Sequence, residues 1–330
     1  MTTFLAIDGG NSKTEVLLAD TAGSVLGYAR GNGSNHQTAG GMTEAMSRLD
    51  ELVRTARAQT DLTEKPALAS VYLAGADLPV ELVALTDAIN AAGWTEKSIV
   101  DNDTFALLRA GTESPDAVAV VCGAGINCVA RAADGRTVRF PSLGQITGDW
   151  GGGAHLGKLA LWHAARAEDG RGPATSLVDA VTGHFGYLAV ADVSSAIHLG
   201  DVPHDRLGEL SPTVFAVAAG GDPVARSLVV QQGEEVVAMA TAALRRLGLL
   251  TARVTVVLGG GVLRARDPLL YSVITERLRT AVPHAEITTV TDPPVVGAAL
   301  LGLDALGVDG PAHATLRTEV RRLLASGELS

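Results

Sequence analysis

Short apolar runs ending in glycine turns alternate along this chain with stretches whose apolar residues recur every three or four positions. Residues 4–7 and 16–19 are two such runs, separated by Asp8-Gly9-Gly10-Asn11-Ser12-Lys13-Thr14, which predicts strand, turn and returning strand. Residues 24–30 continue as a third strand, and 31–36 form a polar loop. Over 41–58, Met42, Ala45, Met46, Leu49, Leu52 and Val53 fall at helical spacing. Strands at 68–74 and 97–100 alternate with helices at 79–92 and 104–110, the last with Asp103 at or near its cap. Such alternation implies a largely parallel sheet covered by helices.

The opening pattern then returns. Residues 117–121 are an apolar strand, 123–127 a glycine turn, and 128–131 a returning strand that leads through Asp134-Gly135 into 137–140. Several short helices are expected over 154–219 and a long amphipathic one from Asp222-Pro223 to about 246. A strand at 253–258 runs into Gly259-Gly260-Gly261. Beyond it lie a helix at 268–280, a strand at 285–288, a helix at 295–306 and a terminal helix at 310–330. Two strand–glycine turn–strand units suggest two related lobes. The expected division is an N-terminal lobe, 1–115, and a larger C-terminal lobe, 116–330, whose last helix could return to the first.

Composition narrows the partners. At 330 residues, 47% hydrophobic but only 4% aromatic, the chain can bury two aliphatic, alanine-rich cores. A net charge of −10 argues against nucleic acid or an anionic membrane as the main partner. With only four lysines, a bound nucleotide would rely on backbone N–H groups and Mg²⁺ for neutralisation. Cys122 and Cys128 fit no disulfide framework or zinc spacing and read as reduced thiols. The N-terminus is no signal peptide and no apolar run is long enough to span a bilayer, so a cytoplasmic protein is expected.

The chemistry lies in the glycine turns and in the carboxylates beside them. There is no GxxxxGK[ST], no intact GxGxxG and no HExxH. Bare N–H groups in a turn make a concavity for phosphate, and Gly9 and Gly10 are free to take positive φ there. Asp8 cannot bind phosphate directly, but it can stand beside one through a divalent cation. Asp77, Asp101, Asp103 and Asp149 also lie at strand ends or glycine turns, the edge where open α/β sheets bind ligands. Asp103 is the candidate base for moving phosphate to a hydroxyl; the bland alternative is a helix cap. Asn35 and Asp149 suit hydroxyl recognition, or simply turn formation.

The ordered segments AIDGGNSKT, VDNDTFA, VVCGAGINC, GDWGGG and VVLGGGVL resemble the BadF/BadG/BcrA/BcrD ATPase and N-acetylglucosamine kinase family of the actin-like superfamily. The resemblance spans residues 4 to about 306. It implies an α/β fold of two ribonuclease-H-like lobes with a nucleotide cleft between them, and the cofactors ATP and Mg²⁺. It makes Gly9, Gly10, Asn11, Ser12, Lys13 and Thr14 the first phosphate loop, with Asp8 on Mg²⁺ through water. Gly123, Ala124, Gly125 and Asn127 become the second loop, and Gly259, Gly260, Gly261 and Val262 the adenosine motif, with Gly297 a further nucleotide contact. Asp103 falls on the catalytic aspartate, and Asn35, His36, Asp77 and Asp149 on the sugar side. The implied activity is phosphorylation of an amino sugar, N-acetylglucosamine at its 6-hydroxyl first among them, by a homodimer. Gln37, Ser142-Leu143-Gly144 and Trp150 depart from the kinases' pattern, which leaves glucosamine and N-acetylmuramic acid open as acceptors. Two readings of other classes also stay open: an ATPase that activates a radical dehydratase or reductase through a cysteine-ligated cluster, and a non-catalytic sugar sensor.

Overall fold

The computed structural model describes residues 1–308 and 310–326. Contacts divide them into two units, Met1–Ser114 with the described residues from Val290 onward, and Pro115–Thr289. The first unit opens with strands β1 (Thr3–Gly9), β2 (Lys13–Asp20) and β3 (Val25–Asn32), then helix α1 (Met42–Arg57). Strand β4 (Leu68–Leu73), helix α2 (Pro79–Ala92), strand β5 (Lys97–Asn102) and helix α3 (Asp103–Gly111) follow. Its sheet has the order β3-β2-β1-β4-β5, antiparallel through the opening hairpins and parallel from β1 to β5. Period-2 alternation along β1 decides its packing. Phe4 and Ala6 face one apolar cluster, Leu5 and Ile7 the other. Phe4, Leu5 and Ile7 are fully buried, each stabilising the fold by roughly 1.5–3 kcal/mol.

The second unit repeats the plan. Strands β6 (Ala117–Cys122), β7 (Ile126–Arg131) and β8 (Thr137–Arg139) make the hairpins. Helices α4 (Gly153–Glu168), α5 (Leu177–Phe185), α6 (Val190–Leu199) and α7 (Ser211–Ala219) come next, with 3₁₀ turns at Gly144–Thr147 and His204–Leu210. The long helix α8 (Pro223–Leu247) starts where Asp222 accepts a bond from the Ala225 N–H, and it stops at Gly248 in the left-handed region. Strand β9 (Val254–Gly259), the short α9 (Gly261–Arg264), helix α10 (Pro268–Ala281) and strand β10 (Ala285–Thr289) complete the unit. The order β10-β9-β6-β7-β8 is the first sheet's order over again, antiparallel hairpins and parallel strands included. Both are ribonuclease-H-like sheets. Among the described residues no single helix is long and apolar enough to cross a membrane.

Helices α11 (Pro294–Ala305) and α12 (Pro311–Ser326) close the chain. The expected C-terminal lobe held both, with only the last helix free to return. Instead the described residues from Val290 onward, α11 included, join the first unit. Val295, Val296, Ala298, Ala299, Leu300 and Leu303 of α11 fill one face of the first sheet, beside Leu316 and Val320 of α12. The last four residues of the expected terminal helix, 327–330, lie outside the described residues.

Candidate active site

The first glycine turn is tied down by the loop that follows β3. Gly10 N–H donates to the Lys13 carbonyl at 2.8 Å, closing the hairpin, and Ser34 N–H donates to the Gly10 carbonyl at 3.2 Å. Thr14 Oγ1 donates to Ser34 Oγ at 2.9 Å, and the Asn35 amide donates to Asn11 Oδ1 at 2.6 Å. Neither Gly9 nor Gly10 has positive φ, contrary to expectation. Gly9 is needed for space: a Cβ there would lie 2.5 Å from Leu73 and from Ser34 Oγ. The phosphate loop and the sugar loop of the sequence reading are therefore one interlocked piece.

Acid chemistry gathers behind that turn. Asp8 and Glu15 are cross-strand neighbours, both buried. Burial first, then the charges of Asp103 and Glu15, hold the Asp8 carboxyl well above the usual carboxylate range, with Lys13 opposing. Glu15 is gripped by the Lys13 ammonium and by the Tyr28 hydroxyl, which donates to it at 2.7 Å. Three carboxylates against one ammonium leave an excess of negative charge that a divalent cation would offset. Among the described residues no three His, Cys, Asp or Glu side chains stand close enough to cage a metal. A divalent cation beside Asp8 would have to complete its shell with oxygens from outside this cluster, such as water.

Asp103 opens α3 as its first residue, directly beside the cap. The cap is Asn102, whose Oδ1 accepts from the Thr104 N–H at 3.0 Å while its amide donates to Asp77 Oδ1 at 2.9 Å. Burial pushes the Asp103 carboxyl up to about 6, and hydrogen bonds from Thr104 restrain the rise. A carboxylate titrating near there is mostly ionised at neutral pH yet basic enough to take a hydroxyl proton. The sugar-side residues are less open. Asn35 is buried, and its Oδ1 accepts from the Gln37 N–H at 2.9 Å. His36 has its Nε2 3.8 Å from Glu81, and its buried Nδ1 has no hydrogen-bond partner among the described residues.

The second glycine turn carries no such charge. Gly123 N–H donates to the Gly125 carbonyl at 2.9 Å, and Asn127 Oδ1 accepts from the Cys128 N–H at 2.6 Å. The start of α4 locks onto it: Gly153 N–H donates to the Gly123 carbonyl at 2.7 Å, Ala154 N–H to the Ala124 carbonyl at 3.0 Å. Behind them the fully buried Gln232 accepts from the Gly152 N–H at 2.9 Å. Gly123, Ala124, Gly153, Gly261 and Val262 open onto one cavity of about 1330 Å³. The second phosphate loop, the helix start and the adenosine motif of the sequence reading therefore meet at a single hollow inside the second unit. No neighbouring atom lies within 4 Å of where a Cβ would stand on Gly123, Gly125 or Gly261.

Two of the residues that the resemblance assigns to ligands have structural partners within the chain. Gly297 is buried in α11, where a Cβ would run into the backbone of Ala106 and Ala110. It is a helix-packing glycine. Asp149 Oδ2 accepts from the Gly144 N–H at 3.0 Å and from Thr147 Oγ1 at 2.8 Å, so this carboxylate is engaged in closing its own turn. Gly259 ends β9 paired with Val121, and Ser12 is exposed at the tip of the first turn. Sequence reasoning missed Glu15, Asn102 and Gln232. Glu15 carried a signal, a carboxylate directly before an apolar strand run, whereas Gln232 stands among Gln231, Glu234 and Glu235 and carried none. Cys122 and Cys128 are fully buried, and burial pushes the Cys122 thiol up to about 12.

The sequence matches the BadF/BadG/BcrA/BcrD ATPase family over residues 5–302. It is 25% identical over 298 residues to an N-acetylmuramic acid/N-acetylglucosamine kinase of Clostridium acetobutylicum, covering 90% of this chain and 97% of that one. It is also 25% identical over 317 residues to an N-acetyl-D-glucosamine kinase of Dictyostelium discoideum, covering 91% and 98%. A solved structure from Chromobacterium violaceum, described as a candidate N-acetylglucosamine kinase, shares the fold with a TM-score of 0.70. That likeness has 24% identity and covers 91% of this chain and 99% of the other.

Proposed function

Because this chain belongs to the BadF/BadG/BcrA/BcrD ATPase family, we propose that it is an ATP-dependent kinase that phosphorylates an amino sugar. N-acetylglucosamine is the first acceptor, giving N-acetylglucosamine 6-phosphate, with glucosamine and N-acetylmuramic acid as alternatives. The observation that carries the reading is Asp103, a carboxyl at a helix start pushed up to about 6. Its role is to accept the proton of the sugar hydroxyl as the new O–P bond forms. The bond from the γ-phosphorus to the β–γ bridging oxygen breaks, and ADP leaves with that electron pair. Asn102, bonded to Asp77, fixes the start of the helix that bears the base.

Phosphate is assigned to the N–H groups and side chains of residues 9–14 and to the turn at 123–127; the base and ribose are assigned to the cavity reached by Gly261 and Val262. Asp8 would hold Mg²⁺ through water, and the ion would supply charge neutralisation for the phosphates. Asn35, His36 and Asp77 form the sugar side, with Asp149 joining only if its turn opens. Cytoplasmic residence and a homodimer complete the proposal, the latter checked by light scattering. The activator reading needs cysteines able to ligate a bridging cluster, and fully buried thiols speak against it.

The test is a coupled ADP-release assay over N-acetylglucosamine, glucosamine, N-acetylmuramic acid, N-acetylmannosamine and glucose. Turnover with an amino sugar well above the sugar-free rate is expected. ATP hydrolysis that no sugar stimulates would overturn the reading.

A further inference from the structure

The walls of the cavity in the second unit hold few polar side chains that are buried and fixed. Apart from glycines they are mostly aliphatic, with the Phe215 ring among them. The lining residues Lys158, His204, Asp205 and Arg266 are solvent-exposed. Asp267 is turned to its own helix, accepting from the Leu270 N–H at 2.9 Å. Ser211 is buried, but its Oγ lies 3.4 Å from where a Gly153 Cβ would stand, at the glycine-turn end of the hollow. Three backbone N–H groups at the end of α9 are also engaged. Arg264 N–H donates to the Gly260 carbonyl, Ala265 N–H to Gly261, and Arg266 N–H to Leu263.

Adenine presents an amino donor where guanine and hypoxanthine present an oxo acceptor. Telling them apart strongly requires a fixed, buried partner for that one group. A site that hydrogen-bonds its substrate rejects the wrong analogue by about 10⁴–10⁵, whereas apolar contact discriminates only about 10–200-fold. The volume of about 1330 Å³ exceeds the usual span of ligand clefts, roughly 300–1,000 Å³, so shape adds little selection.

We propose that this cavity holds the base by apolar contact without reading its edge, so that the protein takes purine nucleoside triphosphates as a class. The inference rests on the kinase reading for the placement of the base. Stacking on a phenyl ring is indifferent to base identity, because every base has a π-face. Phe215 is therefore expected to contribute alike to every nucleotide.

Two measurements decide it. Calorimetric titration of the full-length protein with ADP, GDP and IDP should give dissociation constants within about a hundredfold of one another. Turnover with ATP, GTP and ITP at saturating sugar should give kcat/KM values inside the same range. Phe215→Ala should weaken all three diphosphates by a common factor, about tenfold, the lower part of what stacking contributes. A preference for adenine above about a hundredfold, in either measurement, would overturn the inference while leaving the kinase intact. Loss confined to one base in Phe215→Ala would overturn it as well. Binding of none of the three would instead remove the nucleotide reading itself, and this inference with it.

Discussion

The two sheets share one strand order and one alternation of antiparallel hairpin and parallel strands, yet the turns at their corresponding hairpins are built from different chemistry. In the first unit the turn is backed by Asp8, Glu15 and Asp103, and cross-braced by Ser34 and Asn35. In the second it is backed by neutral groups, the start of α4 and the buried amide of Gln232, and it opens on an apolar hollow. The topology supplies a place where backbone N–H groups can converge. What surrounds that place sets the chemistry it can offer, buried acid in the first unit and an apolar hollow in the second. Repetition of a fold therefore does not imply repetition of a role.

The sharpest way to break this contrast is Asp103→Asn. If Asp103 is the catalytic base and the hollow of the second unit holds the nucleotide, turnover should fall at least about a hundredfold while calorimetry finds ADP binding almost unchanged. Equal loss of both would merge the two roles. The pH profile comes next. With the carboxyl pushed up to about 6, log(kcat/KM) should fall by about one per pH unit below that point. A flat profile down to about pH 5 would exclude Asp103 as the base. The stability sign is opposite: a raised folded-state value means the protonated carboxyl favours the fold, and that contribution is lost as pH rises through about 6. Asp103→Asn should therefore unfold at a higher temperature than the native chain at about pH 8, and show no such gain at about pH 4.

A smaller effect separates two glycines. Gly297→Ala forces α11 away from α3 and should cost about 1–3 kcal/mol in a denaturant titration, with nucleotide affinity retained in the folded fraction. Gly123→Ala meets no neighbouring atom and should change stability by less than about 0.5 kcal/mol. If the turn at 123–127 meets phosphate, the added methyl group should weaken ADP by about tenfold, or about 1.4 kcal/mol. The reverse outcome at either position would exchange their roles. Smallest is Asp149→Asn, which keeps an acceptor for the Gly144 N–H. It should raise the sugar KM only a few-fold, about 0.5–1 kcal/mol, if the carboxylate serves mainly its own turn.

Much of this was legible in the chain. The sheet strands, the long helix capped by Asp222 and the two hairpin turns follow from local patterns: period-2 and period-3.6 apolar spacing, a capping aspartate before proline, and Asp-Gly or Gly-Gly at turns. Cap position was harder. Asn102 and Asp103 are adjacent and both able to cap, and only the bond from Asn102 Oδ1 to the Thr104 N–H separates them, leaving Asp103 free for other work. Glycine meaning was harder still, since Gly9, Gly123 and Gly297 look alike in a sequence. One is excluded from a side chain by Leu73 and Ser34, one faces open space, and one is pressed against Ala106.

By itself the sequence determined the repeated strand–turn–strand plan, the aliphatic cores and the presence of glycine turns flanked by carboxylates, because these depend on neighbours a few residues apart. Only the tertiary structure decided that the segment from Val290 completes the first unit, that Glu15 and Asp103 bear on Asp8, and that α4 and α9 share a hollow with the second turn. Those facts rest on contacts between residues distant in the chain. The spacing of apolar and polar positions carries no information about which distant surfaces meet, and burial and charge at a site are set by that meeting.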